Sequence, residues 1–175
     1  YAQLPTLAAL GPDMCAMPFD KDEFIRRLLR PAHLPEEIGV VLLDQTVANG
    51  VGNYLKAEIM FECRLNPWRT VASLSPAELE CLADTVAIMG VRTVANRGWT
   101  LPDDLRALVE AGILPGGRGR RHWVFRRTNG ACHLCGGKIR QKRQGPGEGR
   151  WTFWCETCQP PPVEQRMPFT ADSAA

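Results

Sequence analysis

The sequence predicts a mainly α chain: a helical domain of about 100 residues followed by a small four-cysteine β-hairpin module. Three observations carry this. Apolar residues recur at helical spacing between Phe24 and Met89. From His122 onward the pattern changes to short β runs separated by glycine turns. Two Cys-x-x-Cys pairs, Cys132/Cys135 and Cys155/Cys158, bracket 19 residues.

Residues 1–18, with Pro5, Gly11, Pro12 and Pro18, read as a strand remnant and a loop. Asp20-x-x-Glu23 resembles a capping box, with Asp in place of Ser or Thr. Phe24, Ile25, Leu28 and Leu29 follow on one face, and Pro31 ends that helix. Pro35, Glu36 and Glu37 predict a second helix carrying Ile38, Val41 and Leu42 to about Gln45. After Asn49-Gly50-Val51-Gly52 a third helix starts at Asn53, with Leu55, Ile59 and Tyr54 facing inward.

Ser75-Pro76-Ala77-Glu78 combines a Ser cap, Pro at the first helical position and an acid in the first turn. The stripe Leu79, Leu82, Val86, Met89 extends that helix to about Ala95, before Asn96-Arg97-Gly98. A short helix from Asp103 to Ala111 precedes Gly112. The β runs are Trp123–Phe125, Lys138–Lys142 and Arg150–Cys155, with Gly145–Gly149 as the turn between the last two. The expected organisation is a helical domain over 19–114, a linker over 115–121, a hairpin module over 122–159 and a disordered tail over 160–175.

Hydrophobic residues make up 45% and charged residues 23%, which argues against global disorder. No apolar run approaches the ~20 residues of a membrane span, and no secretory signal opens the chain. The expected location is cytoplasmic (nucleoid-associated) or nuclear, with no membrane partner and a monomeric state. Net charge is only +2, but Arg118–Arg150 holds ten Lys/Arg against Glu148 alone, a local +9, while the remainder is −7. Such asymmetry suits a polyanion; a solvated basic surface explains it equally well.

The cysteine count is seven, whereas a secreted disulfide framework favours an even number. The expectation is a reducing compartment, four metal ligands and three ordinary buried thiols, Cys15, Cys63 and Cys81. Cys132, Cys135, Cys155 and Cys158 fit one tetrahedral Zn2+ with no open position, hence a structural site. A module this small needs the metal to fold. The 19-residue insert could project a basic hairpin 20–25 Å, bearing Lys138, Arg140, Lys142, Arg143 and Arg150. Trp151, Phe153 and Trp154 fit the ribbon's own core better than base stacking.

Gly50 and Gly52 permit positive φ between helices. Asn53 then opens a helix whose free N–H groups can receive a phosphate, with Lys56 one turn on as a neutralising charge. A plain turn between helices accounts for the same Gly-x-Gly-Asn. His33 and His122 show no partners in the sequence. For Asp44 and Glu58, helix-end capping or salt bridging is favoured over acid–base chemistry.

Together, Leu42-Leu43-Asp44-Gln45, the run Gly50–Ile59 (GVGNYLKAEI) and the two Cys-x-x-Cys pairs ending at Gln159 resemble the formamidopyrimidine-DNA glycosylase / endonuclease VIII family. The resemblance spans about Leu10 to Gln159, with Gly11-Pro12-Asp13 similar to the family's interdomain junction and Val124-Phe125-x-Arg127 to its zinc-finger lead-in. It implies a helix-two-turns-helix domain and a zinc finger that hold double-stranded DNA with damaged bases or abasic sites. It further implies that Asn53 holds the DNA backbone at the lesion, with Gly52 and, on its spacing, Lys56 as the neighbouring DNA-binding candidates. Arg150 would contact phosphates beside a flipped nucleotide and serve as a possible proton donor in the final elimination.

The family's nucleophile is an N-terminal proline followed by glutamate on a preceding β-sandwich domain, of which residues 1–18 would hold a remnant. The chain opens at Tyr1 without either, so the expectation is that this polypeptide alone does not excise bases. Residues 99–121 look longer and richer in Gly and Arg than the family's usual connection, and Asn129 stands where glycine is usual. The pattern LLDQ…GNYLKAEI, with Thr46 where the purine-directed branch places lysine, is closer to the endonuclease VIII branch and to oxidised pyrimidines. The alternatives are a zinc-ribbon nucleic-acid binder without catalysis and a zinc-knuckle scaffold.

Overall fold

The computed structural model describes residues 7–115 and 117–161. Expectations for residues 1–6 and for the tail beyond 161 lie outside the described residues. Among the described residues, five α-helices precede one two-stranded antiparallel sheet: α1 Lys21–Leu28, α2 Ile38–Val41, α3 Asn53–Glu62, α4 Pro76–Ala95, α5 Asp103–Glu110, β1 Ile139–Gln144 and β2 Arg150–Cys155. No helix among the described residues is long and apolar enough to cross a membrane.

Helix starts follow the side chains that can satisfy free N–H groups. The Asp20 carboxylate accepts from the Glu23 N–H at the start of α1. At α4, Ser75 and Glu78 form a reciprocal capping box with Pro76 at the first position. Gly98, at φ +85°, stops the chain after α4, and Gly112, at φ +72°, follows α5.

The second helix is shorter than expected: α2 has four residues, and Pro35 lies in a turn before it. Glu37 is extended and bridges to Thr70, while the Ile38 N–H donates to the Arg69 carbonyl at 2.8 Å. After Val41 the chain turns, because the Asp44 carboxylate takes the Thr46 N–H at 2.8 Å and the Asp44 carbonyl takes the Val47 N–H. These local bonds outcompete helical continuation towards Gln45. Trp123–Phe125 is not a strand either, since its three N–H groups are used elsewhere, as described below.

Two apolar clusters meet at α3. Phe24, Leu28, Ile38, Leu42, Leu55, Ile59, Met60, Leu82, Val86 and Met89 form the first. Ala57, Phe61, Trp99, Leu101, Trp123, Val124, Ile139 and Phe153 form the second. Residues Leu55 to Phe61 are therefore all buried, charged ones included, so α3 has no wet face. Phe153 packs edge-on against Phe125, and Trp154 against Trp68. Phe153 forms core, as its sequence context suggested; Trp154 is half-buried against Trp68, and Trp151 is exposed beneath Arg143.

The hairpin does not project away from the helices. Six cross-strand pairs run from Ile139↔Cys155 to Gln144↔Arg150. At the far end, buried Gln144 donates to the Glu37 carboxylate at 2.9 Å and to the Pro67 carbonyl at 2.8 Å. A side chain at Gly39 would collide with the Gln144 amide, so glycine there lets the hairpin lie down on α2. At the cysteine end, the Gln159 amide donates to the Leu65 carbonyl, and Asn66 donates to the Gln159 carbonyl. Burial of the ribbon's apolar face and these buried amides replace the expected 20–25 Å reach.

Candidate functional site

Gly50 adopts φ +92°, which a residue with a side chain resists, and so makes the turn into α3. Gly52 does not: its backbone is extended, and it takes the N-cap position. Positive φ is thus required at one of the two glycines. A side chain at Gly52 would meet no atom of the chain, so that position is open to solvent at the helix tip.

The Asn53 amide Nδ2 donates to the Trp151 carbonyl at 2.9 Å, across 98 residues of sequence. Its Oδ1 is enclosed and has no partner among the described residues. Arg150, beside Trp151 on β2, is exposed and makes no ion pair among the described residues. The helix tip and the arginine thus lie together. Arg143, opposite Trp151 across the sheet, stacks its guanidinium 4.4 Å from that indole's centre.

Lys56 departs from expectation. It is completely buried, and its ammonium donates to the Thr152 hydroxyl at 2.7 Å. Thr152 in turn donates to Gln144 at 2.8 Å, so a buried polar chain runs from α3 through β2 to Glu37. Burial, then the nearby Arg150 charge, lowers the Lys56 pKa to about 8. In this arrangement its charge cannot touch a surface ligand. Its role is to hold β2, and with it Arg150, against α3.

Glu58, for which helix-end capping or salt bridging was expected, is a buried anchor. Its carboxylate accepts from the N–H groups of Trp123 at 2.6 Å, Val124 at 3.0 Å and Phe125 at 2.9 Å, and from the Thr100 hydroxyl at 2.6 Å. That bonding is why Trp123–Phe125 forms a loop around the carboxylate and not a strand. It is neither a helix cap nor a salt bridge. His122 also has partners: Nδ1 lies 3.1 Å from the Thr100 hydroxyl, and the ring packs on Tyr54 and Phe125. Burial lowers its pKa despite the Glu58 charge. His33 Nδ1 lies 3.0 Å from the Arg27 carbonyl.

The four sulfurs of Cys132, Cys135, Cys155 and Cys158 lie within 4.8 Å of one another. A tetrahedral ion with Zn–S bonds of about 2.3 Å separates its sulfurs by roughly 3.8 Å. Cys135–Cys155 at 3.5 Å and Cys132–Cys158 at 3.9 Å bracket that value. The donor set therefore fits a thiophilic ion, and the Gly137 N–H donates to the Cys135 sulfur at 3.3 Å. His133 is not part of this cluster. Burial and Arg127, whose guanidinium nitrogen is 3.3 Å from Nδ1, lower its pKa to about 4.

Helices turned twice about Gly50 and backed by a four-thiol hairpin define the helix-two-turns-helix class of protein. Residues 10–100 match the family described as the formamidopyrimidine-DNA glycosylase H2TH domain. The formamidopyrimidine-DNA glycosylase of Thermus thermophilus is 33% identical over 167 residues, covering 91% of this chain and 57% of that protein. The crystal structure of that organism's MutM (Fpg) protein superposes with a TM-score of 0.68 at 32% identity, over the same shares of the two chains. Endonuclease 8 of Klebsiella pneumoniae is 32% identical, covering 90% of this chain and 55% of that protein. Lactococcus lactis Fpg in complex with DNA containing an abasic site shares the fold, with a TM-score of 0.67, 21% identity and coverage of 87% and 52%.

The chain belongs to the formamidopyrimidine-DNA glycosylase / endonuclease VIII family. It spans about half the length of these relatives. With 33% identity to a member of one branch and 32% to a member of the other, overall similarity does not favour either.

Proposed function

We propose that this chain is the DNA-gripping part of a base-excision DNA glycosylase/AP lyase for oxidised bases. The observation that carries the reading is the bond from Asn53 to the Trp151 carbonyl. It joins a helix tip with free N–H groups to the exposed Arg150, so two phosphate-binding elements share one face. Turning a nucleotide out of the stack costs a few kcal/mol, and holding the flanking phosphates offsets part of that. A guanidinium suits the task because it engages two phosphate oxygens at once. Open space at Gly52 allows a sugar–phosphate chain to approach the backbone closely.

The four-thiol cluster holds one structural Zn2+ in this reading, its donors all sulfur and its geometry closed. When bound, the ion fixes the ends of the hairpin and supplies no reactive water. The partner is double-stranded DNA with a damaged base or abasic site, bound by a monomer in the cytoplasm and nucleoid or in the nucleus. Oxidised pyrimidines are the favoured substrates on the Leu42–Gln45 and Gly50–Ile59 pattern.

Lyase chemistry needs an amine that can attack the sugar carbon. Lys56, on the α3 side of this face, is enclosed and bonded to Thr152 and so is not free for that attack. We expect the 175-residue chain to bind lesion DNA without forming a covalent adduct.

The test pairs fluorescence anisotropy on duplexes carrying a stable abasic analogue with borohydride trapping on duplexes carrying a natural abasic site. Lesion-preferring binding without an adduct is the expected result. Equal, weak affinity for lesion and intact duplex would favour a zinc ribbon that merely binds nucleic acid. A trapped adduct would overturn the assignment of gripping without chemistry.

A further inference from the structure

Two cysteines outside the four-thiol cluster meet across the helical core. Cys63 caps the C-terminus of α3, where its N–H donates to the Ile59 and Phe61 carbonyls. Cys81 lies in the second turn of α4. Their sulfurs are 2.6 Å apart, although 18 residues separate them in sequence. Thr85, one turn further along α4, brings its hydroxyl to 3.3 Å from the Cys63 sulfur and 3.9 Å from that of Cys81.

Both backbones are fixed. Leu55, Ile59 and Met60 of α3 and Leu82, Val86 and Met89 of α4 are fully or almost fully buried in the same cluster. The pair is thus held together by the packing of two helices, and it has no part in the Asn53–Trp151–Arg150 face. Cys63 is buried and Cys81 half-exposed, so one thiol of the pair can be reached from solvent.

We infer that Cys63 and Cys81 form an oxidisable dithiol that closes into a disulfide, stapling the end of α3 to α4. A disulfide bond is about 2.05 Å long, so the sulfurs need approach by only about half an ångström. The oxidant is a hydroperoxide. The Cys81 thiolate attacks the distal peroxide oxygen, the O–O bond breaks, and the departing oxygen takes a proton as alcohol, or as water from hydrogen peroxide. Cys81 is then a sulfenic acid. The Cys63 sulfur attacks the Cys81 sulfur, an S–S bond forms, and hydroxide leaves with the Cys63 proton as water. Two thiols and one peroxide become a disulfide, water and the alcohol. Burial, with the adjoining Cys81 sulfur, pushes the Cys63 thiol well above its usual range, in keeping with Cys81 reacting first.

The test exposes the metal-loaded chain to hydrogen peroxide, then denatures, alkylates and digests it without reductant for mass spectrometry. The expected product is a peptide pair joined through Cys63 and Cys81, with Cys132, Cys135, Cys155 and Cys158 recovered alkylated. The oxidised protein should melt about 5–10 °C higher than the same sample after dithiothreitol. A Cys81→Ser variant should lose both the link and the shift. Recovery of Cys63 and Cys81 as free thiols when exposed Cys15 is already oxidised would overturn the proposal. So would a linked peptide with no change in melting temperature.

Discussion

The Asn53 amide donates to the Trp151 carbonyl, so the tip of α3 and the first residues of β2 are one structure. Trp151 brings Arg150 beside it, and Lys56 fixes the next residue of the strand, Thr152, from within. The proposed grip therefore draws on two segments of the chain 98 residues apart. An Asn53→Ala change removes one hydrogen bond and should cost about 1 kcal/mol of stability. Affinity for an abasic-analogue duplex should fall much further, by tenfold or more, if the same amide also faces phosphate. Anisotropy titrations beside urea unfolding would separate the two losses; equal small losses would assign Asn53 a purely structural role.

Arg150 offers a different signature. It is exposed and free of ion pairs among the described residues, so Arg150→Ala should leave the melting temperature within about 2 °C. Losing one phosphate contact reduces the salt slope of log K by about one. Titrations across 50–200 mM salt measure this. An unchanged slope would exclude a phosphate contact at this residue.

Removal of the metal should divide the molecule. A chelator that strips one zinc per chain should disorder β1 and β2, because the four sulfurs otherwise tie only short turns. Helix α4, with its own cap and core, should remain. Far-ultraviolet circular dichroism should keep most helical signal, while the tryptophan fluorescence should shift to the red as half-buried Trp154 is freed from Trp68. A full chain that stays ordered after verified metal loss would refute the metal's structural role.

Glu58 is a loop anchor with a measurable value. Glu58→Gln replaces one carboxylate oxygen with an NH2 group that cannot accept, so either the Val124 and Phe125 N–H groups or the Trp123 N–H and the Thr100 hydroxyl lose their acceptor. Buried donors left unpaired cost about 1–3 kcal/mol each, so a destabilisation of roughly 2–4 kcal/mol is expected. Urea denaturation at pH 7 would measure it. A loss under ~0.5 kcal/mol would show that the loop finds other acceptors.

Lys56 predicts a stability trend with pH. Its folded pKa is lowered from 10.5 to about 8 by burial and by Arg150. Between those values the unfolded chain binds more protons, so stability rises with pH. The cost of the buried charge is fully present below pH 8 and disappears towards pH 10.5. Relative to Lys56→Met, the native protein should gain of order 2–3 kcal/mol across that window, at ~1.4 kcal/mol per pH unit. Paired denaturation curves at pH 7.5 and 10 test this, and a constant difference would show that Lys56 titrates normally.

Local chemistry was sufficient to read much of this protein from its residues. Ser75, Pro76 and Glu78 announce α4, and the spacing of Cys132, Cys135, Cys155 and Cys158 announces the four-thiol site. The Gly50–Asn53 turn was legible because positive φ at Gly50 is a backbone constraint. Such features depend on neighbours within a few positions. The fates of Lys56 and Glu58 were not legible. A helical charge normally marks the solvent face, but α3 is enclosed on all sides, by α4 and α2 in one cluster and by the hairpin and the Trp123 loop in the other. Tertiary packing likewise turned Trp123–Phe125 from strand to loop, laid the hairpin on Gly39 and brought Cys63 to Cys81. Each was decided by partners 18 or more residues away, whose proximity exists only once the chain has folded.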